Sequence, residues 1–295
     1  LFPYTTLFRS ARGRGIASMG LTEYDQAVQY FTEALELSDG WVQNVDYDMN
    51  YYLAGAYRKN GQPAEAKKVY DAILGLKPEE KDAYFLRGSA ELELGDYESA
   101  KADFDKAISM DPKNYDRLIE IYEALADYGY REVGQEYLQN VLNTDKKLDA
   151  YDSGRIYYYL GDYQKAYLAL EEAKGKGGVD SYLYLGKAYA ATGDYNYASS
   201  VYSNYLSKQG PDAEIYNQLG LCELAKKDYQ KALEAFQAGK QIEGNSLMQT
   251  LSFNEIVAYE YLQDYQKAAV LLKAYLQNYP DDQAAIREQQ FLSTR

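Results

Sequence analysis

The chain has 295 residues, 46% of them hydrophobic, and a formal net charge of −14. It shows none of the clustered Lys and Arg that neutralise phosphates, which argues against a nucleic-acid-binding protein. Histidine is absent, which excludes Ser-His-Asp and Cys-His catalysis and any histidine-ligated metal site. The single cysteine, Cys222, excludes a disulfide within the chain, and no apolar run approaches the roughly 18 residues of a membrane helix.

The first ten residues, Leu1 to Ser10, do not match the pattern of the rest of the chain. One back-translation of them, CTCTTTCCCTACACGACGCTCTTCCGATCT, resembles a sequencing-library adapter. We therefore expect residues 1–10 to be foreign to the natural chain and the native sequence to begin near Ala11, inside a helix. The natural N-terminus, with any export signal, would then precede this sequence.

A motif of the form Gly-Asp-Tyr-x-x-Ala recurs about every 34 residues, a period that predicts stacked helix pairs. Full copies begin at Gly95, Gly161 and Gly193, and weaker Tyr-x-x-Ala copies begin at Tyr24, Tyr229 and Tyr265. Each Gly-Asp predicts the turn between a first and a second helix. In the clearest copy, the apolar stripe of the second helix has helical spacing: Tyr97, Ala100, Phe104 and Ala107.

Eight second helices are predicted to begin at Tyr24, Pro63, Tyr97, Arg131, Tyr163, Tyr195, Tyr229 and Tyr265. The wide interval after Tyr24 predicts an extended loop over Ser38 to Asp46, which contains Trp41. The glycine-rich run from Lys174 to Gly178 predicts a flexible join. The tail from Gln283 to Arg295 predicts a last helix with one polar face, which suits a cap on the end of a solenoid.

The repeat is similar to the tetratricopeptide repeat of bacterial proteins, a unit of 34 residues in helix-turn-helix form. The resemblance rests on the Gly-Asp-Tyr-x-x-Ala copies and on Tyr182-x-x-Leu185-Gly186-x-x-Tyr189 in a first helix. It implies an all-α, right-handed superhelical solenoid of about eight repeats over residues 11–282, with a C-terminal capping helix at 283–295.

The resemblance also implies that the first helix of each pair lines a concave groove. The outward positions of these helices carry aromatic anchors and a few cations, which is typical of a protein-binding surface. The predicted partner-binding residues are Tyr51, Tyr52, Arg58, Phe85, Tyr151, Arg155, Tyr158, Tyr184, Lys187, Phe253 and Tyr261.

Arg155 and Lys187 occupy equivalent positions in neighbouring repeats, and two interpretations of them stay open. They could converge on a carboxylate of a bound peptide. Alternatively, they are solvated or pair with Asp152 and with glutamates across the repeat interface, which contributes little to stability. The lysine and asparagine pattern with which some family members clamp a partner's C-terminal carboxylate is missing.

The sequence therefore predicts a non-catalytic scaffold for a protein or peptide partner, without a cofactor, a metal or nucleic acid. One alternative is a surface protein that binds glycans or cell wall through tyrosines; another is an enzyme with a carboxylate-based site. Asp46-x-Asp48-x-Asn50 has the opening spacing of an EF-hand, but Tyr51 replaces the required glycine. The repeat style favours a bacterial cell-envelope location over the cytoplasm, and the oligomeric state stays open.

Overall fold

A computed structural model of the chain describes residues 6–37, 44–173 and 175–294. These residues form seventeen α-helices and no strand. The helices are α1 Thr6–Gly20, α2 Tyr24–Glu36, α3 Asn44–Lys59, α4 Pro63–Leu76, α5 Lys81–Glu93, α6 Tyr97–Met110, α7 Tyr115–Asp127, α8 Arg131–Thr144, α9 Ala150–Tyr159, α10 Tyr163–Ala173, α11 Gly178–Ala191, α12 Tyr195–Lys208, α13 Ala213–Ala225, α14 Tyr229–Lys240, α15 Met248–Tyr261, α16 Tyr265–Asn278 and α17 Gln283–Leu292. The predicted all-α repeat fold is confirmed.

The helices alternate between the first and the second member of a pair. We call the odd-numbered helices from α1 to α15 the A helices, and the even-numbered helices from α2 to α16 the B helices. All eight B helices begin at the residues predicted from the sequence. The helix predicted for the tail begins at Gln283.

Two predicted segments overlap residues outside the described part of the chain. The loop expected over Ser38 to Asp46, with Trp41, lies there except for its last three residues, which belong to α3. Lys174 of the expected flexible join also lies outside the described residues. Thr6 to Ser10, which the sequence predicts to be foreign, form the start of α1, where Phe8 is 2% exposed.

The turn inside each pair has one backbone geometry. The residue two places before each B helix has a positive φ, from 61° to 88°, which favours glycine. Glycine fills this position in five turns, and Thr22, Lys227 and Gln263 fill it in the other three. In five of the eight turns an aspartate then caps the B helix: Asp96, for example, accepts a hydrogen bond from the backbone N–H of Ser99 at 3.2 Å.

The chain divides into two compact units, Leu1–Asn140 and Val141–Arg295, which we call the N-terminal and C-terminal units. In each unit, helices pack chiefly against their neighbours in sequence. The core is a series of small clusters, such as Leu92, Phe104 and Ile121, which join α5, α6 and α7. The predicted stripe of α6 is confirmed, because Ala100, Phe104 and Ala107 are at most 3% exposed.

Candidate binding surface of the A helices

All the predicted partner-binding residues lie on A helices. The N-terminal unit contains Tyr51, Tyr52 and Arg58 on α3 and Phe85 on α5. The C-terminal unit contains Tyr151, Arg155 and Tyr158 on α9, Tyr184 and Lys187 on α11, and Phe253 and Tyr261 on α15. The repeat period places these residues at similar positions along the five A helices that carry them.

Two neighbouring tyrosines of α3 have different surroundings. The Tyr51 ring lies 6.3 Å from the Tyr70 ring, and its hydroxyl is shielded from solvent without a hydrogen-bond partner among the described residues. Burial raises the pKa of Tyr51, and the carboxylates of Glu80 and Asp82 raise it further. Tyr52 is 40% exposed and stacks on Phe31 at 5.5 Å. Tyr52 is therefore the one of the two that a partner can reach directly.

Phe85 on α5 supports a cation from the next A helix. The guanidinium of Arg117 on α7 lies 4.0 Å from the centre of the Phe85 ring. Arg117 also donates to Asp82 at 2.9 Å and lies 3.3 Å from Glu120. Residues from two neighbouring A helices thus combine an aromatic face with two carboxylates around one guanidinium.

Arg58 is paired within the chain. Its Nε and Nη2 donate to Oε1 of Glu93 at 2.9 and 2.5 Å. The bond joins α3 to α5, so Arg58 holds two A helices together as well as contributing a charge to their surface.

Arg117 and Glu93 are not among the predicted partner-binding residues, although a spacing signal points to both. The Arg58–Glu93 and Asp82–Arg117 pairs are each separated by 35 residues. That separation is one repeat plus one residue. Opposite charges at this spacing identify ion pairs between successive A helices in the N-terminal unit.

The two cations of the predicted carboxylate site also have acidic partners. Arg155 is 7% exposed, donates to Asp152 at 2.6 Å and lies 4.4 Å from the centre of the Tyr151 ring. Lys187 lies 3.6 Å from Glu214 on the next A helix. This geometry agrees with the interpretation in which both cations pair within the chain.

Tyr158 and Tyr184 belong to a tyrosine cluster that includes Tyr159, which is not among the predicted partner-binding residues. The ring centres of the three lie 5.5 to 5.9 Å apart. The Tyr159 and Tyr184 hydroxyl oxygens lie 3.0 Å apart and share a hydrogen bond. The run Tyr157-Tyr158-Tyr159 is the sequence signal for this cluster.

The last two predicted residues lie on α15. Phe253 is partly buried against Tyr275, with 5.7 Å between the ring centres. Tyr261 is 54% exposed and stacks on Tyr229 at 4.9 Å. Tyr261 therefore presents a ring to solvent that its neighbour holds in place.

The described residues offer no cluster of three acidic or thiol side chains for a metal ion. Asp48 and Asn50 of the EF-hand-like spacing lie inside α3, so they are not loop ligands. Cys222 is 4% exposed, and burial raises the pKa of its thiol to about 12, which leaves it unreactive. None of the helices in the described part of the chain is both long and apolar enough to cross a membrane.

Comparison with protein families gives matches over much of the chain. One model described as Tetratricopeptide repeat matches residues 12–66, 51–115 and 183–246, and a second model with the same description matches residues 253–282. The first model alone covers more than half of the chain. These matches include both compact units.

Individual relatives match over shorter shares of their own length. An Hsp70-Hsp90 organizing protein of Triticum aestivum is 30% identical over 105 residues, 35% of this chain and 17% of that protein. A UDP-N-acetylglucosamine–peptide N-acetylglucosaminyltransferase of Giardia intestinalis is 26% identical over 133 residues, 45% of this chain and 8% of that protein. The chain thus spans less than a fifth of the length of these two relatives.

A solved structure supports the fold. A tetratricopeptide repeat protein from Parabacteroides merdae superimposes with a TM-score of 0.53 at 14% identity, covering 86% of this chain and 99% of that one. At this identity, the likeness concerns the fold alone.

Proposed function

This chain belongs to the tetratricopeptide repeat family, and we propose that it is a non-catalytic scaffold that holds a protein or peptide partner on its A helices. Members of the family generally act as scaffolds that bind proteins or peptides. Stacked helical repeats suit this work because each repeat adds one more helix to a continuous binding surface.

The observation that carries the proposal is the set of aromatic side chains on five of the A helices, α3, α5, α9, α11 and α15. Tyr52 and Tyr261 expose 40% and 54% of their surface, and each is stacked on a ring from a B helix. A ring that is fixed before binding loses little conformational entropy when a partner covers it. Tyrosine also offers a large contact area with a polar tip, which suits a protein interface.

Within each unit, we place the partner over the predicted partner-binding residues, because the A helices line a groove in this family. A partner carboxylate that approached Arg155 or Lys187 would compete with Asp152 or Glu214 for these cations. The aromatic anchors therefore supply most of the affinity in this proposal, and the two cations contribute to orientation.

Catalysis is not part of the proposal, because the most buried glutamates have lysine partners within the chain. Glu91 lies 3.4 Å from Lys67, and Glu255 lies 2.6 Å from Lys240. Each pair joins side chains of two neighbouring helices. The match to the transferase covers 8% of that protein and does not establish an enzymatic activity here.

Selection from a random peptide library on the purified chain tests the proposal. We expect selected peptides to lose about 5- to 30-fold in affinity with Tyr52→Ser or Tyr261→Ser, a loss of about 1–2 kcal/mol that only a minority of interface residues cause. Tyr197→Ser is the matched control, because Tyr197 is 43% exposed but lies on a B helix. A chain that selects no peptide but binds members of a glycan array would favour the glycan alternative and contradict the proposal.

A further inference from the structure

Three tyrosine rings form a stack in the C-terminal unit. The ring centre of Tyr189 on α11 lies 4.5 Å from that of Tyr167 on α10 and 4.2 Å from that of Tyr197 on α12. Tyr167 and Tyr189 also pack against a core cluster that includes Leu170 and Leu185, which limits their movement. Tyr197 is the solvent-facing end of the stack, since it is 43% exposed.

Tyr197 also has a proton acceptor. Its hydroxyl donates a hydrogen bond to Oε1 of Glu171 on α10 at 3.1 Å. A phenol that loses an electron becomes strongly acidic, so its oxidation is easier where a base is already hydrogen-bonded to its proton. Tyr197 therefore combines an exposed phenol, a bonded carboxylate and a second phenol whose ring centre is 4.2 Å away.

We propose that Tyr197 and Tyr189 form an oxidative modification site, at which a one-electron oxidant generated from hydrogen peroxide couples the two rings into dityrosine. The oxidant takes one electron from Tyr197, and the hydroxyl proton passes to Glu171. It takes a second electron from Tyr189, whose hydroxyl proton passes to water. A carbon–carbon bond then forms between ortho carbons of the two rings, and the hydrogens of those carbons move through water to the phenol oxygens.

One molecule of hydrogen peroxide balances each cross-link. The two phenols lose two electrons and two protons in total, which reduce the peroxide to two molecules of water. Glu171 releases its proton to solvent and returns to the carboxylate form. The new bond links α11 to α12 covalently across the turn between them. This modification does not depend on the proposed scaffold function.

A second tyrosine stack in the same unit lacks the carboxylate and serves as an internal control. Tyr261 is 54% exposed and stacks on Tyr229, with 4.9 Å between the ring centres. Within the described residues, neither of these hydroxyls donates a hydrogen bond to a carboxylate. Exposure alone therefore predicts more oxidation at Tyr261, whereas a proton acceptor at Glu171 predicts faster coupling at Tyr197.

The test treats the full chain with a haem peroxidase and hydrogen peroxide, and measures cross-links by mass spectrometry of tryptic peptides. Tyr189 and Tyr197 lie in one tryptic peptide, residues 188–208, so their coupling removes two hydrogen atoms from it, and fragment ions locate the bond. A bond between Tyr229 and Tyr261 instead joins peptides 228–231 and 241–267. We expect the first product to form about tenfold faster, less than the roughly 100-fold effect of a base in an enclosed site because water also accepts protons here.

Four variants of the full chain assign the roles. Glu171→Gln should remove the tenfold advantage, while Glu172→Gln, which changes an exposed neighbour on the same helix, should keep it. Tyr189→Phe and Tyr197→Phe keep the ring packing, and each should abolish the product in peptide 188–208. An unchanged rate with Glu171→Gln, faster coupling of Tyr229 with Tyr261, a product that persists in Tyr197→Phe, or no cross-link at all would overturn the proposal.

Discussion

At the scale of single residues, glycines on the A helices let large side chains of the B helices approach. Gly186 and Gly220 show this most clearly. A Cβ at residue 186 would lie 2.2 Å from the Tyr202 ring, and one at residue 220 would lie 2.3 Å from the Phe236 ring. Both rings are 0% exposed, so the surrounding core limits their movement. These glycines are therefore packing residues within helices.

Gly220→Ala should lower the free energy of unfolding by about 1–3 kcal/mol, because the added methyl group overpacks the core at Phe236. Gly55→Ala is the matched control in another A helix, since a Cβ there has nothing within 4 Å. The control should gain about 0.5–1 kcal/mol from the better helix propensity of alanine. Thermal and denaturant unfolding of both variants measures the difference, and two changes of the same sign would contradict this account.

The buried side chain of Glu91 makes the stability of the chain depend on pH. It is 3% exposed, and burial, with the nearby charge of Asp103, raises its pKa from an ordinary value near 4.5 to about 7. The folded chain therefore binds more protons than the unfolded chain between these values. The contribution of Glu91 to stability must fall as the pH rises through this window.

Glu91→Gln should remove this contribution, because a neutral amide keeps an oxygen for Lys67 without a buried charge. The variant should gain stability relative to the parent chain at pH 8 and show a smaller gain at pH 5. Burial and the nearby charge of Glu288 also raise the pKa of Glu260 to about 7. The variant should therefore keep part of the parent chain's pH dependence. Denaturant unfolding at the two pH values checks this, and an equal difference at both would contradict it.

At the scale of the helix pair, the turn before each B helix requires a residue in the left-handed backbone conformation. Thr22 has φ 61°, where its β-branched side chain is unfavourable, and Gly95 has φ 78° in the equivalent turn. Thr22→Gly should therefore raise the free energy of unfolding by about 1 kcal/mol, and Gly95→Thr should lower it by at least as much. A Cβ at residue 95 meets no atom within 4 Å, so its effect would come from the backbone alone. Calorimetry measures the stability of both variants, and a loss of stability in Thr22→Gly would contradict the prediction.

Helix starts were predictable because local chemistry fixes them. The turn glycine and the capping aspartate lie next to each other in the sequence, and both act within a few residues. The regular period then transferred the prediction to weaker copies such as the one at Tyr229. No partner from a distant part of the chain is needed for this step.

The fourth pair, α7 with α8, packs in a way that the sequence does not predict. Gly134 on α8 stands where the other B helices carry alanine, and glycine is the less favourable of the two inside a helix. In the structure, a Cβ at this position would lie 2.9 Å from the Tyr122 ring and 3.1 Å from its Cα, so the glycine allows close packing on α7. The large side chain is on the A helix and the glycine on the B helix, the reverse of the Gly220–Phe236 arrangement. Only the facing helix reveals this exchange.

The sequence predicted which helices carry the candidate binding residues, but not which side chains those residues pair with. The period placed the aromatic residues on A helices, and the structure confirms those placements. Ion pairs such as Arg117 with Asp82 depend on side chains of different repeats. Whether two such side chains meet, and how deeply they are buried, depends on the facing helix. The sequence alone therefore left two interpretations open for Arg155 and Lys187.

At the scale of the whole molecule, contacts between neighbouring helices dominate each unit. Stability in such a chain is approximately a sum of local terms. A defect at Gly220→Ala should therefore speed amide hydrogen exchange in α13, α14 and their immediate neighbours. Exchange in α3 to α6 of the N-terminal unit should change little. Equal acceleration along the entire chain would contradict this local view.

The central claim is that a protein or peptide partner binds across the A helices. Hydroxyl-radical footprinting of tyrosines, with and without a library-selected peptide, tests it most directly, because exposed tyrosines lie on both kinds of helix. We predict protection of Tyr52 or Tyr261 in the complex, while Tyr197 on its B helix reacts at an unchanged rate. Protection of Tyr197 with no change on the A helices would contradict the claim.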